Sequence, residues 1–275
     1  MTDDDEMIVA DGVETRVRVT GEGNPLVLIH GSGNHLEVWG RVVPLLANRF
    51  RCVTYDMVDH GWSADSDHDA TMGDYVGQLR GLLDALSLEA PVLVGHSLGA
   101  GVALHTAVAD PGATAGVVAV SGSGRRPPKE KAVRLADLSE AAARNPDVDS
   151  VRARLGGIVV DPATVEDLIG VRMELLERPG ALARTKRVVA RLRVDPPPGA
   201  AEALWERLAA SGVPLGVVWG ADDPVTPVSD AQDLAGAVPD SRCVVIDDCG
   251  HLPQYERPAE FVEALLATLS PTKKG

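Results

Sequence analysis

Between Pro25 and Gly33 the chain reads PLVLIHGSG, an unbroken apolar run that ends in glycines. A strand buried on both faces has this pattern, because neither side of it meets water. RCVTYDM, APVLVGHS, AGVVAVSG, VPLGVVWG and SRCVVIDD repeat the design further along. The opening MIVADGVETRVRVTG alternates instead, with Val13, Thr15, Val17 and Val19 on one face and Glu14, Arg16 and Arg18 on the other. It predicts a hairpin turning at Asp11-Gly12, with the charged face in water.

Helical periodicity fills the gaps between these strands. In TMGDYVGQLRGLLDALSL the positions Tyr75, Val76, Leu79, Leu82, Leu83 and Leu86 form one stripe, and Thr71 with Asp74 forms a capping box. FVEALLATL carries a second stripe, Phe261, Val262, Leu265, Leu266 and Leu269. Buried strands alternating with helices predict an α/β fold with a doubly wound, mostly parallel sheet. From about Arg125 to Pro198 the alternation stops and helix follows helix, with starts at Asp161-Pro162 and at Pro179. The expected organisation is a core from 1–124 and 199–275 with a helical insertion over 125–198.

Composition sharpens that division. Residues 124–200 hold 15 Lys and Arg against 11 Asp and Glu, and no Phe, Trp, Tyr, His or Cys. The remaining chain holds 11 basic and 29 acidic residues, and the whole carries a formal charge of −14. Such a balance argues against nucleic-acid or anionic-membrane partners. No apolar run approaches the roughly 18–20 residues of a membrane span. The start MTDDDEMIVADG lacks the basic head of a signal peptide, so the expected location is cytoplasmic. Cys52, Cys243 and Cys249 are too scattered for a disulfide framework or a zinc site, and no metal is expected.

Chemistry enters at VLVGHSLGAGVAL, a buried strand, a G-x-S-x-G turn and a helix. Such a turn holds Ser97 in a strained backbone conformation, with its hydroxyl exposed above the sheet at a helix N-terminus. A serine needs a base to take its proton. Of the seven histidines, His30 lies in HGSG as a structural hydrogen-bonder, His96 adjoins the serine with its ring expected to point away from it, and His105 falls on the next helix. His68 sits in a polar loop. His251 stands on the loop after the last strand, where these sheets place functional groups, yet position alone does not decide for it. GADDPVTP adds two adjacent acids, Asp222 and Asp223, at another strand end.

With HGSG, GHSLG, GADDPVTP and CGHLPQYERPAEF in this order, the chain resembles the α/β-hydrolase fold family almost end to end. The resemblance implies an eight-stranded sheet with a helical cap at 125–198 and a Ser-His-Asp triad. Ser97 would be the nucleophile, His251 the base, and the backbone N–H groups of Ser32 and Leu98 the oxyanion hole. The family's acid stands three positions after a strand-end glycine, which from Gly220 is Asp223. Pro224 agrees, because it biases Asp223 toward extended backbone; Asp222 is then a turn residue. One loop departs from the pattern: DMVDHGWS stands for D-x-R-G-x-G-x-S, and Asp59 takes a glycine's place in what reads as a left-handed turn.

The implied reaction is two-step acyl transfer without a cofactor on a small-molecule substrate, an ester or lactone first. HGSG and CGHLPQYE also resemble the carbon–carbon bond hydrolases of the meta-cleavage-product group. That group usually has Asn where His96 stands and an aromatic where Leu252 stands. Haloperoxidase or perhydrolase activity and a catalytically silent ligand receptor are the further readings this fold allows. Candidate pocket residues are Gly31, His96, Trp39, Trp62, Met173 and Leu252. The cap's arginines are expected to face mostly water, and one turned inward would favour a carboxylate-bearing substrate. A homodimer is left open.

Overall fold

The computed structural model describes residue 2 and residues 4–269; the remaining ends of the two expected core segments lie outside it. Eight strands form one sheet: β1 (Glu6–Ala10), β2 (Val13–Thr20), β3 (Asn24–Ile29), β4 (Phe50–Tyr55), β5 (Val92–His96), β6 (Gly116–Val120), β7 (Leu215–Gly220) and β8 (Arg242–Ile246). Their order across the sheet is β1-β2-β4-β3-β5-β6-β7-β8. The six strands from β4 to β8 run parallel, and only the β1–β2 and β2–β4 pairings are antiparallel. The first hairpin turns at Asp11 (φ 50°) and Gly12 (φ 79°), so Ala10 pairs with Val13. Two successive positive φ values match the right-handed twist of the paired strands.

The apolar runs divide by the two-residue period of a strand. Val27, Ile29, Leu93, Val117, Ala119, Val217 and Trp219 belong to the core on one face. Leu26, Leu28, Val94, Val118, Val120 and Val218 belong to the core on the other. Helices cover both faces: α1 (Val43–Leu46), α2 (Met72–Ala85), α3 (Leu98–Ala109), then, beyond the insertion, α8 (Ala200–Ser211), α9 (Ser229–Ala237), α10 (Pro253–Glu256) and α11 (Pro258–Leu269). At the head of α2, Thr71 Oγ1 accepts from Asp74 N (3.3 Å) while Asp74 Oδ2 accepts from Thr71 N (2.7 Å). The buried stripe of α2 contains a residue its apolar periodicity does not predict, Gln78. Its amide donates to Thr15 Oγ1 of β2 and to Asp56 O and accepts from Val58 N, so it satisfies two backbone groups of the loop after β4.

Four α-helices stand between β6 and α8: α4 (Lys129–Arg144), α5 (Val148–Gly156), α6 (Glu166–Glu177) and α7 (Ala181–Ala190). Ala132, Ala136, Val188, Val189 and Leu192 give α4 and α7 a small core of their own. Asp161 caps the short turn that enters α6, by accepting from Ala163 N at 2.9 Å. No described helix is long and apolar enough to cross a membrane.

The charged face of β2 differs from its expected solvation. Arg16 is fully buried, because its guanidinium is surrounded by Asp5, Glu37 and Asp56. Asp56 also accepts from Leu36 N and Trp62 N, so this ion cluster ties the first hairpin to the loops after β3 and β4. A buried arginine is tolerable only with such partners.

Candidate active site

Ser97 sits where β5 turns into α3, with φ 53° and ψ −110°. A non-glycine residue with positive φ costs about 1–3 kcal/mol and persists only where its surroundings impose it. Here they do. A Cβ on Gly95 would meet Gly99 O, and a Cβ on Gly99 would meet Ile29 O and His30 O, so the turn closes only with glycine at both positions. The hydroxyl is carried up beside the first turn of α3, whose opening N–H groups have no partner within the helix.

Two loops converge on this turn. One follows β7 and carries Asp223, buried, with Oδ1 accepting from Val225 N (2.8 Å) and Thr226 N (2.9 Å). Its Oδ2 accepts from Thr226 Oγ1 (2.8 Å) and pairs with His251 Nδ1 at 2.8 Å. Burial pushes the Asp223 carboxyl up, but the facing His251 and these N–H donors outweigh it and its pKa is lowered. Asp222 beside it is exposed, and its backbone N–H donates to Cys249 O at 2.9 Å. The second loop follows β8 and carries His251. With Nδ1 turned to Asp223, Nε2 is the atom left to act on the cavity that His251 and Ser97 both line.

The HGSG loop after β3 closes the third side. His30 donates from Nδ1 to Gly31 O (2.8 Å) and accepts Met57 N at Nε2 (3.0 Å), which makes it a neutral clamp. A Cβ on Gly31 would lie 3.1 Å from Ser97 Cβ, so this loop abuts the serine, and Ser32 lines the same cavity as Ser97 and Leu98. His96, one of the candidate pocket residues, also lines that cavity. Its Nε2 lies 2.7 Å from His251 O, a contact no sequence pattern signals. Glu256 was missed as well: its carboxylate accepts from Gly250 N, Leu252 N and Val160 N.

Several expected pocket residues are elsewhere. Trp39 is wholly buried against Phe261, with ring centroids 6.1 Å apart. Trp62 lies under Arg16, whose guanidinium carbon is 4.3 Å from its ring centroid. Met173 packs into the core below α6, and Leu252 is wholly buried in that core. Asp59 has φ 63°, the left-handed turn expected, and its buried carboxylate also accepts from Arg187 Nε of the insertion at 2.8 Å. The insertion's arginines do not all face water. Arg154 lines the Ser97 cavity and a second cavity under the insertion; Arg172 lines the second and Arg191 the first.

A family model described as the alpha/beta hydrolase family matches residues 26–264. The chain belongs to this family. An uncharacterised protein of Mycobacterium tuberculosis is 31% identical over 92% of the chain and 77% of its own length. The 2-hydroxymuconate semialdehyde hydrolase of Pseudomonas sp. strain CF600 is 30% identical over 92% of the chain and 89% of its own. Among solved structures, an alpha/beta hydrolase fold protein from Burkholderia ambifaria superposes with a TM-score of 0.81 at 27% identity, covering 97% of this chain and 98% of that one. As in other members of an alpha/beta hydrolase fold, the site stands at the carboxyl ends of the parallel strands.

Proposed function

We propose that this hydrolase cleaves a carbonyl compound through Ser97, His251 and Asp223. The observation that carries the reading is the 2.8 Å His251–Asp223 pair facing the strained turn that presents Ser97. Ser97 Oγ attacks the carbonyl carbon as His251 Nε2 takes its proton. The carbonyl oxygen gains the negative charge beside the N–H groups of Ser32 and Leu98, donors worth about 10²–10³-fold each in a comparable protease. His251 returns the proton to the leaving group as the bond to carbon breaks, leaving an acyl-serine. Water, deprotonated by His251, then attacks the acyl carbon and frees the acid and Ser97. Asp223 holds the imidazole in its working tautomer throughout.

An ester or lactone carbonyl is the general substrate for this machinery. A specific observation favours the second reading, carbon–carbon bond hydrolysis. Arg172 lines the cavity under the insertion without a carboxylate partner among the described residues, and suits an acidic substrate. The relative named for 2-hydroxymuconate semialdehyde has an acidic substrate by name. The insertion would act as the cap that covers the substrate. Labelling with a fluorophosphonate probe tests the nucleophile; folded protein that stays unlabelled at Ser97 would sink the proposal. A panel of p-nitrophenyl esters run beside a vinylogous 1,5-diketone acid decides between the bonds.

A further inference from the structure

Three arginines of the insertion, Arg154 buried and Arg172 and Arg191 half-buried, line its cavities with no carboxylate partner among the described residues. Arg154 Nε donates to Ser139 Oγ at 2.7 Å, and its Nη1 is buried without any partner. No side-chain hydrogen bond or ion pair is found for Arg172 or Arg191 among the described residues, although both line the cavities. By contrast, Arg125, Arg126, Arg152, Arg184, Arg187 and Arg193 of the same segment all meet carboxylates. Acidic residues are abundant in a chain with net charge −14, so their absence from these three places is specific.

The placement of the three is ordered. Arg154 and Arg172 approach one point: a Cβ on Gly33 would lie 4.0 Å from Nη2 of the first and 3.9 Å from Nη2 of the second. Gly33 follows Ser32, so this paired charge stands one residue beyond the proposed oxyanion donor. Arg154 lines both cavities and so stands at their junction, whereas Arg191 lies on the Ser97 side, in the wall that also holds Met72 and Leu192. Enclosure lowers the Arg172 guanidinium to about 9, with Arg154 adding repulsion, and lowers Arg154 to about 10. Each remains a cation at neutral pH. A partly desolvated cation without a partner is costly, and a bound anion that supplies the missing charge offsets that cost.

We propose that the substrate is a dicarboxylate, with one carboxylate held between Arg154 and Arg172 beyond Gly33 and the other at Arg191 beside Ser97. One carboxylate answers the paired arginines by spanning both forks; Arg191 lines the other cavity, which Arg172 does not line, and calls for an anionic group of its own. The inference deepens the hydrolase reading of the same site and rests on it. It also makes the insertion a selector of charge rather than only a cover.

Calorimetric titration of the wild-type protein with free acids tests this without requiring turnover. Straight-chain dicarboxylates from glutarate to suberate are compared with the monocarboxylates of equal length. At least one diacid should bind tenfold or more tightly than its monoacid. Arg191→Gln should bring that diacid down to the monoacid's affinity and leave the monoacid unchanged, Arg191→Lys should keep part of the gain, and Arg172→Gln should weaken both. Equal binding of the two series, or an Arg191→Gln protein that still prefers the diacid, overturns the proposal. Fluorophosphonate labelling of Ser97 on the same preparation reports separately on the hydrolase reading.

Discussion

His96 Nε2 lies 2.7 Å from the backbone carbonyl oxygen of His251, so the residue before the serine holds the residue that carries the imidazole. The rings also meet edge to face, with centroids 4.9 Å apart. Nε2 must carry the proton, because a carbonyl can only accept. Among the described residues, no other side-chain hydrogen bond ties the β5 turn to the tip of the loop after β8. Replacing His96 by Ala should therefore loosen His251 relative to Ser97 rather than remove a reacting group. We expect kcat to fall about 10–100-fold, the scale of a small misplacement near the chemistry, with KM changing little. His96→Asn keeps a donor and should recover part of the loss. Steady-state kinetics of both variants check this; equal activity of His96→Ala and wild type would remove His96 from the positioning of the base.

The two adjacent acids should separate in their effects. Asp223 receives His251 Nδ1, the Thr226 hydroxyl and two backbone N–H groups, whereas Asp222 is exposed. Asn at 223 would turn an amide toward donors and favour the wrong imidazole tautomer. Turnover should drop by about 10⁴, as the same change does in a comparable serine protease. Asp222→Asn should stay within about twofold, as surface changes usually do. Turnover measured side by side decides it, and a reversed order would move the acid by one residue.

How these features read in the sequence depends on their range. Buried strands, the α2 capping box and the G-x-S-x-G turn are local patterns, set by periodicity and by glycines that admit no Cβ, and they were legible. Asp223 and His251 lie 28 residues apart and meet only because β7 and β8 pair in parallel, and the motif order of the family supplied that pairing. Arg16 was misread because alternation records which face a residue takes, not whether acids from three other segments cover it. Which arginines turn inward stayed open for a related reason. An Arg-rich helix looks solvated until its neighbours are known, and Trp39 and Met173 looked available to a pocket for want of the packing around them.

Acid should destabilise the fold through buried histidines. Burial lowers His60 and His96 to about 3, and holds His30 well below its ordinary value. In the unfolded chain each takes a proton near pH 6.5, whereas folded His60 and His96 stay neutral down to about pH 3. Between those values the unfolded state binds more protons, so stability rises with pH and is lost as pH falls. Each residue contributes a slope of about 1.4 kcal/mol per pH unit in that window. Urea denaturation at intervals from pH 7 to pH 4 should show this, and His96→Asn should flatten the slope whatever its effect at pH 7. An unchanged slope would mean His96 is protonated in the folded protein.

Glu256 should matter to activity although it is remote from the reacting atoms. Its Oε2 accepts from Gly250 N (3.0 Å) and Val160 N (2.9 Å), and its Oε1 from Leu252 N (3.0 Å). Gly250 and Leu252 flank His251, and His251 N itself donates to Ile158 O at 2.9 Å. The imidazole loop is thus fastened to the inserted segment through one carboxylate and one backbone bond. Gln at 256 offers a single accepting oxygen and sets an NH2 against at least one backbone donor. Leaving a buried donor unpaired costs about 1–3 kcal/mol. We expect Glu256→Gln to lower the thermal midpoint and kcat together, while Glu260→Gln on the exposed side of α11 changes neither. Thermal unfolding and turnover measured on both proteins test the coupling. A Glu256→Gln protein that loses stability but keeps full kcat would show that the fastening supports the fold and not the placement of His251.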